Sequence, residues 1–194
     1  FINAYNLIDG LDGLSCLVGL YVLFCFLFVF LINEQYIEIM LAISAIGCLL
    51  GFLLFNKSPA KIFMGDSGTL SIGLLIAFFS IRVSNLPLDF SENINPVIPM
   101  VVLSYPVIDT LRVFFRRILN GNSPFSADRN HIHHALFDLG YGHTKSSILI
   151  IFSSVMLTFI IYFLREQHTF SFFVSVILIL LMSQLPFYLL SRKK

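Results

Sequence analysis

LSCLVGLYVLFCFLFVFLI, residues 14–32, runs for 19 residues without a charged side chain. At the helical rise a segment of that length extends about 28 Å, close to the hydrocarbon thickness of a bilayer. It is apolar on every side and lacks the polar stripe of a helix on a soluble surface. Lipid offers no water to open backbone groups, so a helix is the state available to such a run. The period-2 alternation of a barrel strand is absent. The fold class that follows is all-α, a polytopic transmembrane helical bundle.

Outward from this run the pattern repeats. Ile37–Phe55 is a second apolar stretch, with Glu38 at its mouth. Thr69–Val83 is shorter and ends at Arg82, which can snorkel to the interface. Pro96–Phe115 is interrupted by Pro99 and Pro106 and carries Asp109 and Arg112, a possible intramembrane pair or ligand contact. Ser147–Leu164 and Phe170–Leu190 bring the expectation to about six spans. No repeat or interdomain linker divides the chain, so residues 1–194 read as one membrane-embedded domain.

Composition agrees. Of 194 residues 57% are hydrophobic and 12% charged, Phe supplies 22, Trp none, and mean hydropathy is +0.89. A chain so poor in polar surface is neither disordered, nor collagen-like, nor a nucleic-acid binder with a basic face. Cys16, Cys25 and Cys48 sit in apolar runs without metal-ligand spacing and read as packing residues.

The few charges are distributed unevenly. Loops 1–13, 56–68 and 116–146, the segment from Asp109, and the C-terminal tail hold Lys57, Lys61, Arg112, Arg116, Arg117, Arg129, Lys145, Arg192, Lys193 and Lys194. These are 10 of the 12 basic residues, and Arg82 and Arg165 fall on the other side. The positive-inside rule makes the first side cytoplasmic. Asp9, Asp12, Asp66, Asp109, Asp128 and Asp138 share it, as do His131, His133, His134 and His143. Any chemistry faces the cytoplasm.

Three polar clusters lie there. In NAYNLIDGLDGL, residues 3–14, Asn3, Asn6, Asp9 and Asp12 recur every three residues, a spacing that lines one helical face. Such carboxylates can hold Mg²⁺, contact a hydroxylated ligand or act as general bases; helix capping is the plainer alternative. In FNKSPAKIFMGDSGTLSIG, residues 55–73, Asp66 stands between glycines where an apolar helix begins, and Phe63 offers an aromatic face. GDSG also surrounds serine-protease nucleophiles, but here it opens a membrane helix and that reading fails. The loop RRILNGNSPFSADRNHIHHALFDLGYGHTK, residues 116–145, joins arginines to His131, His133 and His134. Spacing puts His131 and His134 on one helical face. Phosphate binding or proton transfer suits the group better than zinc, for which a third ligand is wanting.

Together with PVIDTLRVFFRR, these motifs resemble, in order and over residues 1 to about 145, the polyprenyl-phosphate N-acetylhexosamine-1-phosphate transferases. HIHH is similar to the branch making undecaprenyl-diphospho-GlcNAc; the peptidoglycan branch, acting on phospho-MurNAc-pentapeptide, shows three consecutive histidines. The resemblance implies a cytoplasmic UDP-N-acetylhexosamine, undecaprenyl phosphate as acceptor, UMP as product, and Mg²⁺, or Mn²⁺, as cofactor, in the bacterial inner membrane. It implies that Asp9, Asp12 and Asp66 are catalytic and that Asp66 and Asn6 serve the metal. Asn6, Phe63, Arg129, His131, His133 and His134 would bind substrate, with Phe63 stacking on uracil. The family's DDxxD-like motif is absent from the chain. These residues are therefore expected to be the C-terminal part of a longer protein and to be inactive alone. A transporter with the acids as its cation site, or a lipid-binding component using the basic loop, are the competing classes; oligomeric state is not specified.

Overall fold

The computed structural model describes residues 1–86, 97–123, 130–164 and 166–193, all helix and connecting turns. Helix α1 (Ile2–Leu7) is followed by α2 (Leu14–Ile32), α3 (Tyr36–Asn56) and α4 (Gly65–Val83). Then come α5 (Val97–Val102), α6 (Ser104–Leu119), α7 (Ile132–Leu136), α8 (Gly142–Phe163) and α9 (His168–Lys193). A wide turn at Phe137–Tyr141 joins α7 to α8. Among the described residues five stretches are long and apolar enough to cross a membrane: α2, α3, α4, the α7–α8 stretch and α9. This is a multi-pass membrane protein.

The expected span Pro96–Phe115 is not one continuous helix. Pro96 lies outside the described residues, and the remainder divides at Leu103 into α5 and α6. The physical reason is Pro106, which has no N–H to donate one turn back and whose ring crowds the preceding carbonyls. α6 differs from the other long helices in being amphipathic. Tyr105, Asp109 and Val113 are buried along one face, while Leu111, Phe115 and Ile118 are exposed on the opposite one.

α2 is the centre. Within the described residues 56% of its span is buried, against 22–33% for the other four, so it carries the packing. Its Phe30 meets Phe79 of α4 edge-on at 5.0 Å. Tyr21 ties it to α8, its hydroxyl bonding to Thr158 Oγ1 at 2.6 Å and donating to the Ser154 carbonyl at 3.2 Å. Cys16 packs as expected and also donates to the Leu49 carbonyl, whereas Cys48 lies on the exposed face of α3. At the end of the bundle away from the polar loops, Arg82 of α4 pairs with Glu38 of α3 at 2.7 Å and reaches Gln35.

α1 lies close against the bundle because two glycines make room for it. A Cβ at Gly19 would stand 2.4 Å from the Tyr5 hydroxyl, and one at Gly73 would stand 3.3 Å from Ile2 Cα. Tyr5, fully buried, donates to the Ser15 carbonyl at 2.6 Å. α1 is thus fixed between α2 and α4, and Asn6 with it.

Candidate functional site

The polar loops meet at one end of the bundle. Asn6 donates through Nδ2 to Asp66 Oδ1 at 2.9 Å and to Thr69 Oγ1 at 2.7 Å, joining α1 to the start of α4. Asp66 is exposed and Thr69 buried, so the carboxylate is presented outward on an anchored base. Phe63, 69% exposed, lies three residues before Asp66 on the loop that leads into α4.

That loop is held from behind by Asn56, a residue the sequence reading passed over. Buried at the end of α3, its Oδ1 accepts from the Gly13 amide at 3.1 Å and its Nδ2 donates to the Ile62 carbonyl at 2.9 Å. One side chain fastens both loops, so each is positioned relative to the other. Gly13 has φ +76°, a left-handed conformation that glycine adopts without a Cβ penalty.

The two acids of DGLDG have different partners. Asp9 Oδ1 accepts from Ser15 Oγ at 2.5 Å. Asp12 Oδ2 accepts from the Ala60 amide at 3.2 Å, while its backbone N–H donates to His143 Nδ1 at 3.2 Å. Asp12 therefore bridges three loops, and His143, not picked out as a site residue from sequence, belongs to the site end. Its only sequence signal is a histidine just after the turn glycines Gly140 and Gly142 at the head of an apolar run.

The histidines gather around Asp109. This carboxylate is fully buried; Oδ2 accepts from His131 Nδ1 at 2.9 Å and Oδ1 from the Ile132 amide at 2.9 Å. Arg112 donates to Oδ1 at 3.2 Å and also to the Asn130 carbonyl. A buried carboxylate with a cation, an imidazole and a backbone N–H around it has its charge compensated. His133 is buried, with Nδ1 hydrogen-bonded to the Tyr105 hydroxyl at 3.4 Å, and its ring lies 4.4 Å from that of His134, which is half-buried.

Two expectations change here. His131 and His134 do not share a helical face: His131 is extended, and α7 begins only at Ile132, because Asp109 caps its first amide from another helix. Asp109 and Arg112 do pair, and the pair supports the histidine loop instead of standing alone. Arg129 lies outside the described residues.

The first and third clusters touch at Gly10. A Cβ there would lie 2.5 Å from His133 Nε2, so the DGLDG backbone runs against the imidazole. Asn6, Asp9, Asp12, Asp66 and the histidine loop thus occupy one end of the bundle. For a divalent cation the available donors are the exposed Asp66 carboxylate and the Asn6 amide oxygen, whereas the Thr69 hydroxyl is buried and donates to the Gly65 carbonyl. Among the described residues no three His, Cys, Asp or Glu side chains converge on a metal position. Oxygen donors with a single carboxylate fit Mg²⁺, which keeps waters and takes substrate phosphate oxygens for the rest of its shell.

Fold and site together define a multi-pass helical membrane protein with a carboxylate- and histidine-lined site at one end of its bundle. Residues 1–84 match the model of glycosyl transferase family 4. Over 151 residues it is 39% identical to the probable undecaprenyl-phosphate N-acetylglucosaminyl 1-phosphate transferase of Bacillus subtilis, covering 77% of this chain and 41% of that protein. It is 35% identical over 168 residues to the decaprenyl-phosphate N-acetylglucosaminephosphotransferase of Mycolicibacterium smegmatis, covering 77% and 41%. The undecaprenyl-phosphate alpha-N-acetylglucosaminyl 1-phosphate transferase of Escherichia coli O157:H7 is 28% identical over 203 residues, covering 98% and 52%. The chain spans about half the length, or less, of these relatives.

Proposed function

We propose that the protein transfers N-acetylglucosamine 1-phosphate from UDP-GlcNAc to a polyprenyl phosphate at the cytoplasmic face of a bacterial inner membrane. An oxygen of the lipid phosphate attacks the β-phosphorus of the nucleotide sugar; the bond to the bridging oxygen breaks and UMP leaves. The observation that carries the reading is the contact of Gly10 with His133, which puts a carboxylate-bearing loop against a histidine loop beside an apolar bundle. A water-soluble donor and a lipid acceptor need such a site at the membrane boundary. The names of the relatives, all polyprenyl-phosphate sugar phosphotransferases, support the same chemistry.

In this reading Asp66 and Asn6 hold Mg²⁺, which when bound offsets phosphate charge in the transition state. Phe63, exposed beside them, stacks on the uracil. His134, and Arg129 of the same loop, donate to the diphosphate, while His131 and His133 hold that loop in place from within. Asp9 and Asp12, each anchored through one carboxylate oxygen, order the nucleotide and metal side. Holding both reactants in line is the main contribution, since phosphoryl transfer asks little covalent chemistry of a protein. Lys57, Lys61, Arg116, Arg117 and Lys145 on the site side support the cytoplasmic orientation.

The test is UMP release with polyprenyl phosphate in membranes bearing the protein in full, comparing UDP-GlcNAc, UDP-GalNAc and UDP-MurNAc-pentapeptide. Mg²⁺-dependent release with UDP-GlcNAc is expected. Preference for the pentapeptide substrate would move the protein to the peptidoglycan branch, and no release with any donor would leave a transporter or lipid-binding role.

A further inference from the structure

Arg112 is gripped on two sides. One side of the guanidinium faces Asp109 and the Asn130 carbonyl, both belonging to the framework of the histidine loop. The other lies over the ring of Phe187, with the guanidinium carbon 3.9 Å from the ring centroid. The Arg112 side chain is only 9% exposed, so the cation is largely withdrawn from water and its contact with the negative ring face is strengthened. Phe187 belongs to α9, the final helix, which supplies none of the site motifs. Pro186, buried beside it, interrupts the backbone ladder of α9 at the level of Arg112.

A chain of direct contacts follows. Phe187 sets the plane of the Arg112 guanidinium. Arg112 sets Asp109, whose two oxygens orient His131 and start α7 at Ile132. We propose that Phe187 is a positioning residue for the donor-binding histidine loop, acting through Arg112 and Asp109, so that α9 tunes nucleotide-sugar affinity from outside the site. This rests on the function proposed above. The property required at position 187 is an aromatic face, because an aliphatic side chain of similar volume fills the space but offers no π-electrons to the cation.

Phe187→Leu and Phe187→Met remove the ring and keep most of the volume; Phe187→Tyr keeps the ring. Tyr188→Leu is the control: it removes a ring of the same helix that lies 4.7 Å from Arg192 instead. The protein, in full and in lipid nanodiscs, is assayed for KM and kcat toward UDP-GlcNAc. In parallel, 15N-labelled imidazole signals are recorded without substrate, the His131 signal being assigned by its loss in His131→Asn. Losing the ring is expected to raise KM by about 3- to 30-fold with a smaller effect on kcat. It should also shift the His131 signal, while Phe187→Tyr and Tyr188→Leu behave as wild type. The proposal is overturned if Leu and Met leave both KM and the His131 signal unchanged, even with a lowered melting temperature, or if Tyr fails to rescue. Were the wild type to release no UMP, the proposed function would fall, and the His131 signal alone would still decide whether Phe187 holds the loop.

Discussion

Gly10 faces the imidazole of His133 so closely that a methyl group on its Cα would sit 2.5 Å from Nε2. His133 cannot withdraw easily, being buried between Tyr105, Asp109 and its neighbouring histidines. Gly10→Ala is therefore expected to push the histidine loop away from DGLDG, with a strain of about 1–3 kcal/mol. UMP release should fall more than tenfold while the helical circular-dichroism signal is retained. Wild-type kinetics in Gly10→Ala would show that this approach is not used.

Asp109 and Arg112 form a buried pair, and one partner without the other is worse than neither. Asp109→Asn should destabilise by about 3–5 kcal/mol, because it removes a buried negative charge facing the guanidinium and offers His131 a poorer acceptor. The double variant Asp109→Leu with Arg112→Leu should recover much of that stability, yet remain inactive because His131 and α7 lose their anchor. Thermal unfolding in detergent and UMP release separate the two effects. A double variant that is both stable and active would refute this role for the pair.

Asp66 offers a cleaner separation of chemistry from stability, since it is exposed. Asp66→Asn keeps an oxygen to accept from Asn6 but loses the negative charge a divalent cation needs. The melting temperature should stay within about 2 °C, as for surface changes generally. Mg²⁺-dependent UMP release should drop by at least about a hundredfold, the scale of losing one oriented electrostatic group in a transition state. Retained Mg²⁺ dependence in this variant would remove Asp66 from the metal site.

His143 acts through the acceptor at Nδ1. Asparagine can place an oxygen near that position and glutamine cannot, its amide matching Nε2 in reach. His143→Asn should keep most activity and His143→Gln or His143→Phe should lose about five- to tenfold, the value of one hydrogen bond holding Asp12. Loss in His143→Asn and His143→Gln with activity kept in His143→Phe would mean that ring packing against Phe137 matters more than the bond.

The apolar runs were legible because spanning a bilayer is a local demand, met by some 20 consecutive residues without regard to what lies beside them. The break at Leu103 was not legible to the same degree. Membrane helices tolerate proline, so Pro99 and Pro106 announced an irregularity without saying that one helix would become two. Nor could spacing place His131, because the start of α7 is decided by Asp109, a side chain on another helix. Asn56 and Phe187 were silent for a similar reason: one reads as the polar end of an apolar run, the other as one more phenylalanine among 22.

By itself, the sequence determined that the chain is a membrane bundle, that its charges gather at one face, and that Asn6, Asp9, Asp12, Asp66 and the histidines are the residues to watch. Each of those conclusions depends on composition and short-range order. Only the tertiary structure decided which candidates are holders and which are presented outward. Asp109, His131 and His133 are spent on internal bonds, Asp12 joins three loops, and Asp66 and Phe63 stand exposed. The role of a polar side chain follows from which of its atoms remain unbonded after packing, and that is set by neighbours that distant helices bring to it.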